Sequence, residues 1–349
     1  MTINLNLKSK LDNFNMDVAF QSEARRIGIL GASGAGKSML LKYIAGISEP
    51  LEGSIVIDKV CVFDSQNKID IKPQNRNVAY LFQSYALFPT MTIGENISII
   101  AKGTKEQKQK TTDELLNKFH INNLKDRYPS ELSGGQQQRA ALARIMAYEP
   151  KLILLDEPFS ALDESLKENL QMDLEEMIAD YNGMVVLVSH NRDEIYRFSQ
   201  ELLIMNNGKS AEYGKTKEVF ANPKTLEGAK MVGINNILMA KHVGNGIIEI
   251  PEWNIKIDME YDIQNDVNYV GIRDIDLEPA WGEERLGDFV EIKITKVLER
   301  VREKKVFFTA GDDESKEFSF ILSVKDEEEC KSKSLPTNLK INKHKIVLF

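Results

Sequence analysis

The chain's 349 residues carry 45 Lys plus Arg against 53 Asp plus Glu, a net charge of −8: enough for about two domains and too acidic for a broad nucleic-acid footprint. Hydrophobic residues at 42% and charged residues at 28% are those of a globular protein rather than a disordered one, and no run reaches the 18 or so apolar residues that span a bilayer. Met1 to Asn15 lacks a secretory pattern, and Cys61 and Cys330 stand far apart outside any CxxC, so the expectation is a soluble cytoplasmic protein without a thiolate metal cluster.

In chain order, Ile3, Leu5 and Leu7 alternate with polar residues, and Phe14, Met16, Val18 and Phe20 repeat the period of two. Both read as half-buried antiparallel strands. Residues 27–30 form a short buried strand that runs into a glycine-rich loop, and further buried strands are expected at 78–82, 152–156 and 184–189. Between the first two of these three, roughly residues 94–148 read as helical, with Lys- and Gln-rich faces turned to solvent. Strands alternating with helices predict an α/β domain with a mostly parallel sheet. After about Met231, Gly, Asn and Asp punctuate β-rich runs at 246–250, 253–258, 289–297, 305–310, 318–322 and 345–349, which predict a separate small β-barrel. The polar stretch 325–334 reads as an exposed loop. The sequence shows no internal repeat and no low-complexity tract.

Gly31-Ala32-Ser33-Gly34-Ala35-Gly36-Lys37-Ser38 fits GxxxxGK[ST] between a predicted strand and a predicted helix. Such glycines let backbone N–H groups turn inward as an anion nest, and the helix that follows directs its N-terminal dipole at phosphate. Lys37 is expected to reach the β- and γ-phosphates, and the Ser38 hydroxyl to ligate Mg²⁺. Leu152-Ile153-Leu154-Leu155-Asp156-Glu157 reads as a buried central strand that delivers two carboxylates to its exposed end. Asp156 is placed to hold Mg²⁺, and Glu157 to polarise the attacking water as general base. These features fit any P-loop NTPase.

Leu132-Ser133-Gly134-Gly135-Gln136 narrows the class, because it resembles the signature of ATP-binding cassette (ABC) ATPases and lies in that family's order between the glycine loop and the Asp156 strand. Gln83 resembles the Q-loop glutamine, Ser160-Ala161-Leu162-Asp163 the D-loop, and His190 the switch histidine at the γ-phosphate. The resemblance covers about residues 1–230. It implies a P-loop ABC cassette with a mixed sheet and a helical subdomain at about 85–150, the cassette occupying 1–232 and an OB-type β-barrel 233–349. It implies ATP and Mg²⁺ as ligands, with Glu157, His190 and Gln83 catalytic and Ser38, Gln83 and Asp156 on the metal. It also implies that Ser133, Gly134, Gly135 and Gln136, which open a helix over 136–148, cap the nucleotide held by the glycine loop of a second cassette. A complete motor is then a head-to-tail homodimer closing over two Mg·ATP.

Soluble cassettes of this kind resemble the ATPases of bacterial importers. The resemblance places the chain on the cytoplasmic face of the membrane, against separate permease subunits and, indirectly, a periplasmic or lipid-anchored solute-binding protein, with no nucleic acid. Ser84-Tyr85-Ala86-Leu87-Phe88-Pro89 reads either as packing between subdomains or as a groove for a permease helix, with Phe82 buried and Tyr85 or Phe88 nearer the interface. A cassette followed by a small barrel resembles importers of oxyanions, sugars, polyamines and iron. The Gly271-Ile272-Arg273-Asp274 stretch and the early spacing look most like molybdate importer ATPases, which puts molybdate or tungstate first and sulfate next. Phe14 reads as core rather than as an adenine platform. Arg285-Leu286-Gly287-Asp288 carries an acid where resembling barrels hold the oxyanion with an amide, so the tail reads as structural or regulatory. A non-transport ABC ATPase and a P-loop kinase are the competing classes. The first fits poorly with a single cassette lacking long heptads, and the second leaves the signature and His190 without a role.

Overall fold

The structure is a computed structural model that describes residues 1–11, 14–160, 164–263, 267–281, 289–301, 303–311, 314–323 and 335–349. Expectations for 161–163, 285–288 and 325–334 therefore lie outside the described residues. The chain divides into two units, Met1–Lys217 and Glu218–Phe349.

In the first unit, the alternating apolar residues at the start form β1 (Ile3–Leu11) and β2 (Phe14–Ser22), an antiparallel pair. β3 (Arg26–Leu30) leads through the glycine loop into α1 (Lys37–Ala45). β4 (Glu52–Ile57), β5 (Val60–Asp64) and β6 (Ile69–Asp70) extend the antiparallel edge beyond β1. β7 (Val78–Leu81) precedes three helices, α2 (Ile93–Ser98), α3 (Lys105–Lys118) and α4 (Gly134–Ala147). Then follow β8 (Leu152–Asp156), α5 (Glu164–Met177), β9 (Met184–Ser189), α6 (Arg192–Phe198), β10 (Glu201–Asn206) and β11 (Lys209–Lys215).

All eleven strands make one sheet, in the order β6-β5-β4-β1-β2-β11-β10-β3-β9-β8-β7. Its parallel part, β10-β3-β9-β8-β7, carries the continuous apolar runs expected of strands buried on both faces. Every residue of β8 and β9 is buried. The expected mixed sheet is present, and β4 to β6, β10 and β11 are strands that the sequence reading did not single out.

Each helix of the helical subdomain opens on a reciprocal capping box. Thr92 pairs with Glu95, Thr104 with Gln107 and Ser133 with Gln136, each hydroxyl accepting the N3 amide while the N3 side chain accepts the cap's own N–H. This is why α4 starts at Gly134 rather than at Gln136: the Ser133 cap brings the two glycines into the helix.

The second unit is strand-rich. Asn236–Met239 pairs with Tyr269–Ile272, which also pairs with Val347–Leu348; Lys241–Gly244, Ile247–Ile250 and Ile255–Asp258 form a second antiparallel sheet. A five-stranded antiparallel sheet includes Phe289–Glu299, Lys304–Ala310 and Phe318–Leu322. These sheets enclose Trp253, Phe308, Phe318 and Phe320, with Trp253 edge-on to Phe318 at 5.3 Å. Fully buried Asn236 donates to the Ile272 and Ser319 carbonyls and accepts the Ser319 N–H, joining two sheets. The arrangement fits the expected OB-type barrel.

Candidate functional site

The glycine loop turns sharply because two of its positions admit no side chain. A Cβ on Gly31 would lie 2.5 Å from the Met205 carbonyl oxygen, and Gly36, the N-cap of α1, has a φ of 95° that only glycine adopts at no cost. Lys37, 5% exposed, bends back across the loop. Its Nζ donates to the carbonyls of Gly31 (2.9 Å) and Ala32 (3.0 Å) and lies 3.6 Å from Glu157 Oε1.

Asp156, at the end of β8, is held on both oxygens. Ser38 Oγ donates to Oδ1 at 2.7 Å and the Tyr80 hydroxyl to Oδ2 at 2.6 Å. Burial first, then the hydrogen bond and charge of Asp156, pushes the Tyr80 phenol well above its usual range, so Tyr80 stays a donor.

Glu157 follows with a φ of 46°, a left-handed conformation that costs a non-glycine residue roughly 1–3 kcal/mol. Its neighbours hold it there: its N–H donates to the Val188 carbonyl at 3.0 Å, and its carbonyl accepts from Ser160 N (3.2 Å) and Ser160 Oγ (2.9 Å). The strained turn sends the carboxylate between Lys37 and His190, whose Nδ1 lies 3.3 Å from Oε2. Gln83 reaches the same neighbourhood, donating from Nε2 to Ser160 Oγ at 2.9 Å.

The His190 turn rests on a buried acid. Ser189 Oγ donates to Glu194 Oε2 at 2.5 Å and accepts the Asn191 N–H at 2.9 Å. Burial raises the Glu194 carboxyl above its usual value of 4.5, against the opposing Ser189 bond. Between the unfolded and the raised folded value the native chain binds more protons than the unfolded one, so this group's contribution falls as pH rises through that window. Glu194→Gln keeps an acceptor for Ser189 and removes the dependence. Its Tm relative to the parent is expected to climb from pH 4.5 to pH 7.5, as followed by circular dichroism; a constant difference would separate Glu194 from the pH response.

An open cleft of about 580 Å³ is lined by Phe14, the glycine loop, Gln83 and Glu157. Its chemistry fits a nucleoside triphosphate with magnesium. The loop and the N-terminus of α1 supply N–H groups and Lys37 for phosphate, while Ser38, Asp156 and Gln83 offer the hard oxygens that Mg²⁺ takes. Among the described residues, no cluster of three or more His, Cys, Asp or Glu rivals this site for a metal. The signature residues do not line this cleft. Ser133, Gly135 and Gln136 line a separate one of about 410 Å³ with His120, Arg139 and Leu170.

Two expectations need correction. Phe14 packs on the core but also lines the nucleotide cleft, where its ring faces Gly36. Around the 84–89 stretch, Phe82 is 37% exposed rather than buried and Tyr85 only 6%, so of the two residues expected nearer the interface it is Phe88 that is exposed. The cause is a left-handed pair, Tyr85 (φ 60°) and Ala86 (φ 47°), which turns Tyr85 inward. Arg144 of α4 holds that pair by donating to the Ala86 and Tyr85 carbonyls (2.9 and 3.3 Å), with its guanidinium 5.1 Å from the ring of Phe88. Phe88 is 42% exposed.

The ABC transporter family profile matches residues 11–160. A protein of Chlorella vulgaris named probable sulfate/thiosulfate import ATP-binding protein is 36% identical over 227 residues, 64% of this chain and 92% of that protein. A spermidine/putrescine import ATP-binding protein of Bacillus cereus is 35% identical over 259 residues, 73% and 76% of the two chains. A glucose import ATP-binding protein of Saccharolobus solfataricus is 34% identical over 241 residues, 68% and 67%. Among solved structures, a dimeric ATP-binding cassette in a post-hydrolysis state with ADP and phosphate covers 62% of this chain and 99% of its own, with a TM-score of 0.52 and 26% identity.

Proposed function

The chain belongs to the ABC transporter family as an ATP-binding importer cassette that takes ATP with Mg²⁺, and on that premise we propose that two copies close head to tail to power uptake through separate permease subunits. The observation that carries the dimer is the separation of the two clefts. Lys37, Ser38, Asp156 and Glu157 gather at one and the Ser133 turn lines another, so a complete site takes its signature from a second copy. Ser133 Oγ accepts from Gln136 N, which leaves its hydroxyl hydrogen for a phosphate oxygen, and the α4 dipole favours the same anion. The dimeric cassette among the similar structures supports this reading.

In this scheme Lys37 binds the β- and γ-phosphates, Glu157 accepts the proton of the attacking water, His190 contacts the γ-phosphate, and Ser38, Asp156 and Gln83 hold the metal. An Mg²⁺ held by these residues would supply positive charge against the charge that develops on the phosphate oxygens. Among the described residues no helix is long and apolar enough to cross a membrane, which is compatible with peripheral attachment at the cytoplasmic face. Exposed Phe82 and Phe88 on the Arg144-held loop supply the apolar surface for a permease helix.

For the solute we propose a tetrahedral oxyanion. The molybdate-like spacing and the sulfate/thiosulfate relative support that class, and the relatives' names put sulfate ahead of molybdate. The test is ATPase activity in vesicles holding the cassette, its permease and its binding protein. Stimulation by sulfate or molybdate is expected; stimulation by spermidine or glucose alone would overturn the oxyanion assignment. The dimer is tested separately. Specific activity is expected to rise with protein concentration, and a rate independent of dilution would contradict it.

A further inference from the structure

Tyr80 is absent from every motif that carries the nucleotide site, yet its hydroxyl makes one of the two hydrogen bonds to the Asp156 side chain. The sheet explains the contact. Tyr80 of β7 is in register with Leu154 of the parallel neighbour β8, and Asp156, two residues on, shares the face of Leu154. A tyrosine is long enough to cover that diagonal. The 2.6 Å separation is in the range of a charge-assisted O–H···O⁻ bond with the hydroxyl of Tyr80 as donor. The ring is braced in turn by Phe82, whose centroid lies 4.4 Å away and which immediately precedes Gln83.

We propose that Tyr80 is a positioning residue for the catalytic metal: by donating to Oδ2 it sets the rotation of the Asp156 carboxylate, so that the oxygen shared with Ser38 is the one presented to Mg²⁺. A carboxylate at the end of a strand otherwise turns about its last bond, and each orientation it samples dilutes the one that ligates. Partners that orient metal ligands in this way typically contribute 10- to 100-fold to metal affinity or activity. The proposal rests on the reading of Asp156 as a metal ligand.

The test is calorimetry of ADP binding to the full chain, in Mg²⁺ and in EDTA, for the parent, Tyr80→Phe and Tyr80→Met. Both variants keep an apolar side chain and lose the donor. They are expected to bind ADP like the parent in EDTA, to lose about 10-fold of the affinity gained with Mg²⁺, and to need correspondingly more Mg²⁺ for half-maximal ATPase. Circular dichroism melting checks that the fold persists. An Mg²⁺ increment equal to the parent's, or an equal loss with and without metal, would overturn the proposal, the latter marking a purely structural role. Asp156→Asn in the same assay separates the two levels. If it also keeps the full increment, the assignment of Asp156 fails; if it loses the increment while both Tyr80 variants keep theirs, only the role of Tyr80 fails.

Discussion

Glu157→Gln is expected to bind Mg·ATP, lose turnover by about 10²- to 10⁴-fold, the usual contribution of a general base, and accumulate as a closed dimer. The geometry around the residue sets this expectation. Its carboxylate lies between Lys37 Nζ at 3.6 Å and His190 Nδ1 at 3.3 Å, on a left-handed turn pinned by Val188 and Ser160. The amide keeps the shape and the backbone bonds of that turn, so the glycine loop and the metal ligands are undisturbed. On the proposed roles, it replaces the basic carboxylate that would take the water's proton with a weakly basic amide, and removes a negative charge next to where the γ-phosphate would lie. The first change stops hydrolysis; the second leaves ATP affinity equal or higher. ATP stabilises the closed dimer only by binding it more tightly than separate subunits, so blocking hydrolysis removes the step that reopens it. Light scattering or native mass spectrometry with Mg·ATP reads the outcome. A variant that stays monomeric, or that hydrolyses at the parental rate, contradicts both the base assignment and the composite site.

The parts of this site that the sequence made legible are those in which chemistry forces a local pattern. The glycine loop is readable because each fixed position has its own local demand, such as the close approach at Gly31 and the left-handed φ at Gly36. Asp156 and Glu157 are readable because a fully buried parallel strand has to be apolar until it emerges. Tyr80 carries no such mark. In Val78–Leu81 it is one more strand residue, and its bond to Asp156 depends on β7 lying beside β8, an order that periodicity does not encode. Phe14 alternates correctly for a core strand, and only the return of the chain through Gly36 brings its ring to the cleft. Tyr85 turns inward because two consecutive non-glycine residues take positive φ, a conformation stabilised by Arg144 from a helix almost sixty residues away. β4 to β6 and β11 are less legible for a similar reason: strands with few buried residues or irregular alternation gain their partners from the sheet rather than from their own pattern, whereas β10 carries a buried apolar run, Leu202 to Met205, of the same kind as β8.

Lys37→Ala is the second large effect, and its signature is selectivity among nucleotides rather than loss alone. Lys37 is nearly inaccessible, and its ammonium is held by two loop carbonyls and the Glu157 carboxylate. Alanine removes the charge that meets phosphate and leaves the Gly31 and Ala32 carbonyls without that donor, beside a carboxylate that lacks its cation. Truncating one partner of a charge pair buried in a complex, here the ammonium that would face phosphate, costs about 2–5 kcal/mol of binding, which corresponds to roughly 30- to 5000-fold in affinity. If the ammonium acts on the β- and γ-phosphates, ADP and ATP should lose affinity by that factor while AMP, which reaches neither position, loses little. Calorimetry with the three nucleotides in EDTA isolates the contact from the metal and from hydrolysis. Equal losses for all three would mean that the loop has collapsed, and the melting temperature of the variant would fall with them. Unchanged affinity for ADP and ATP would take Lys37 out of the phosphate site and leave its burial as a matter of loop structure alone.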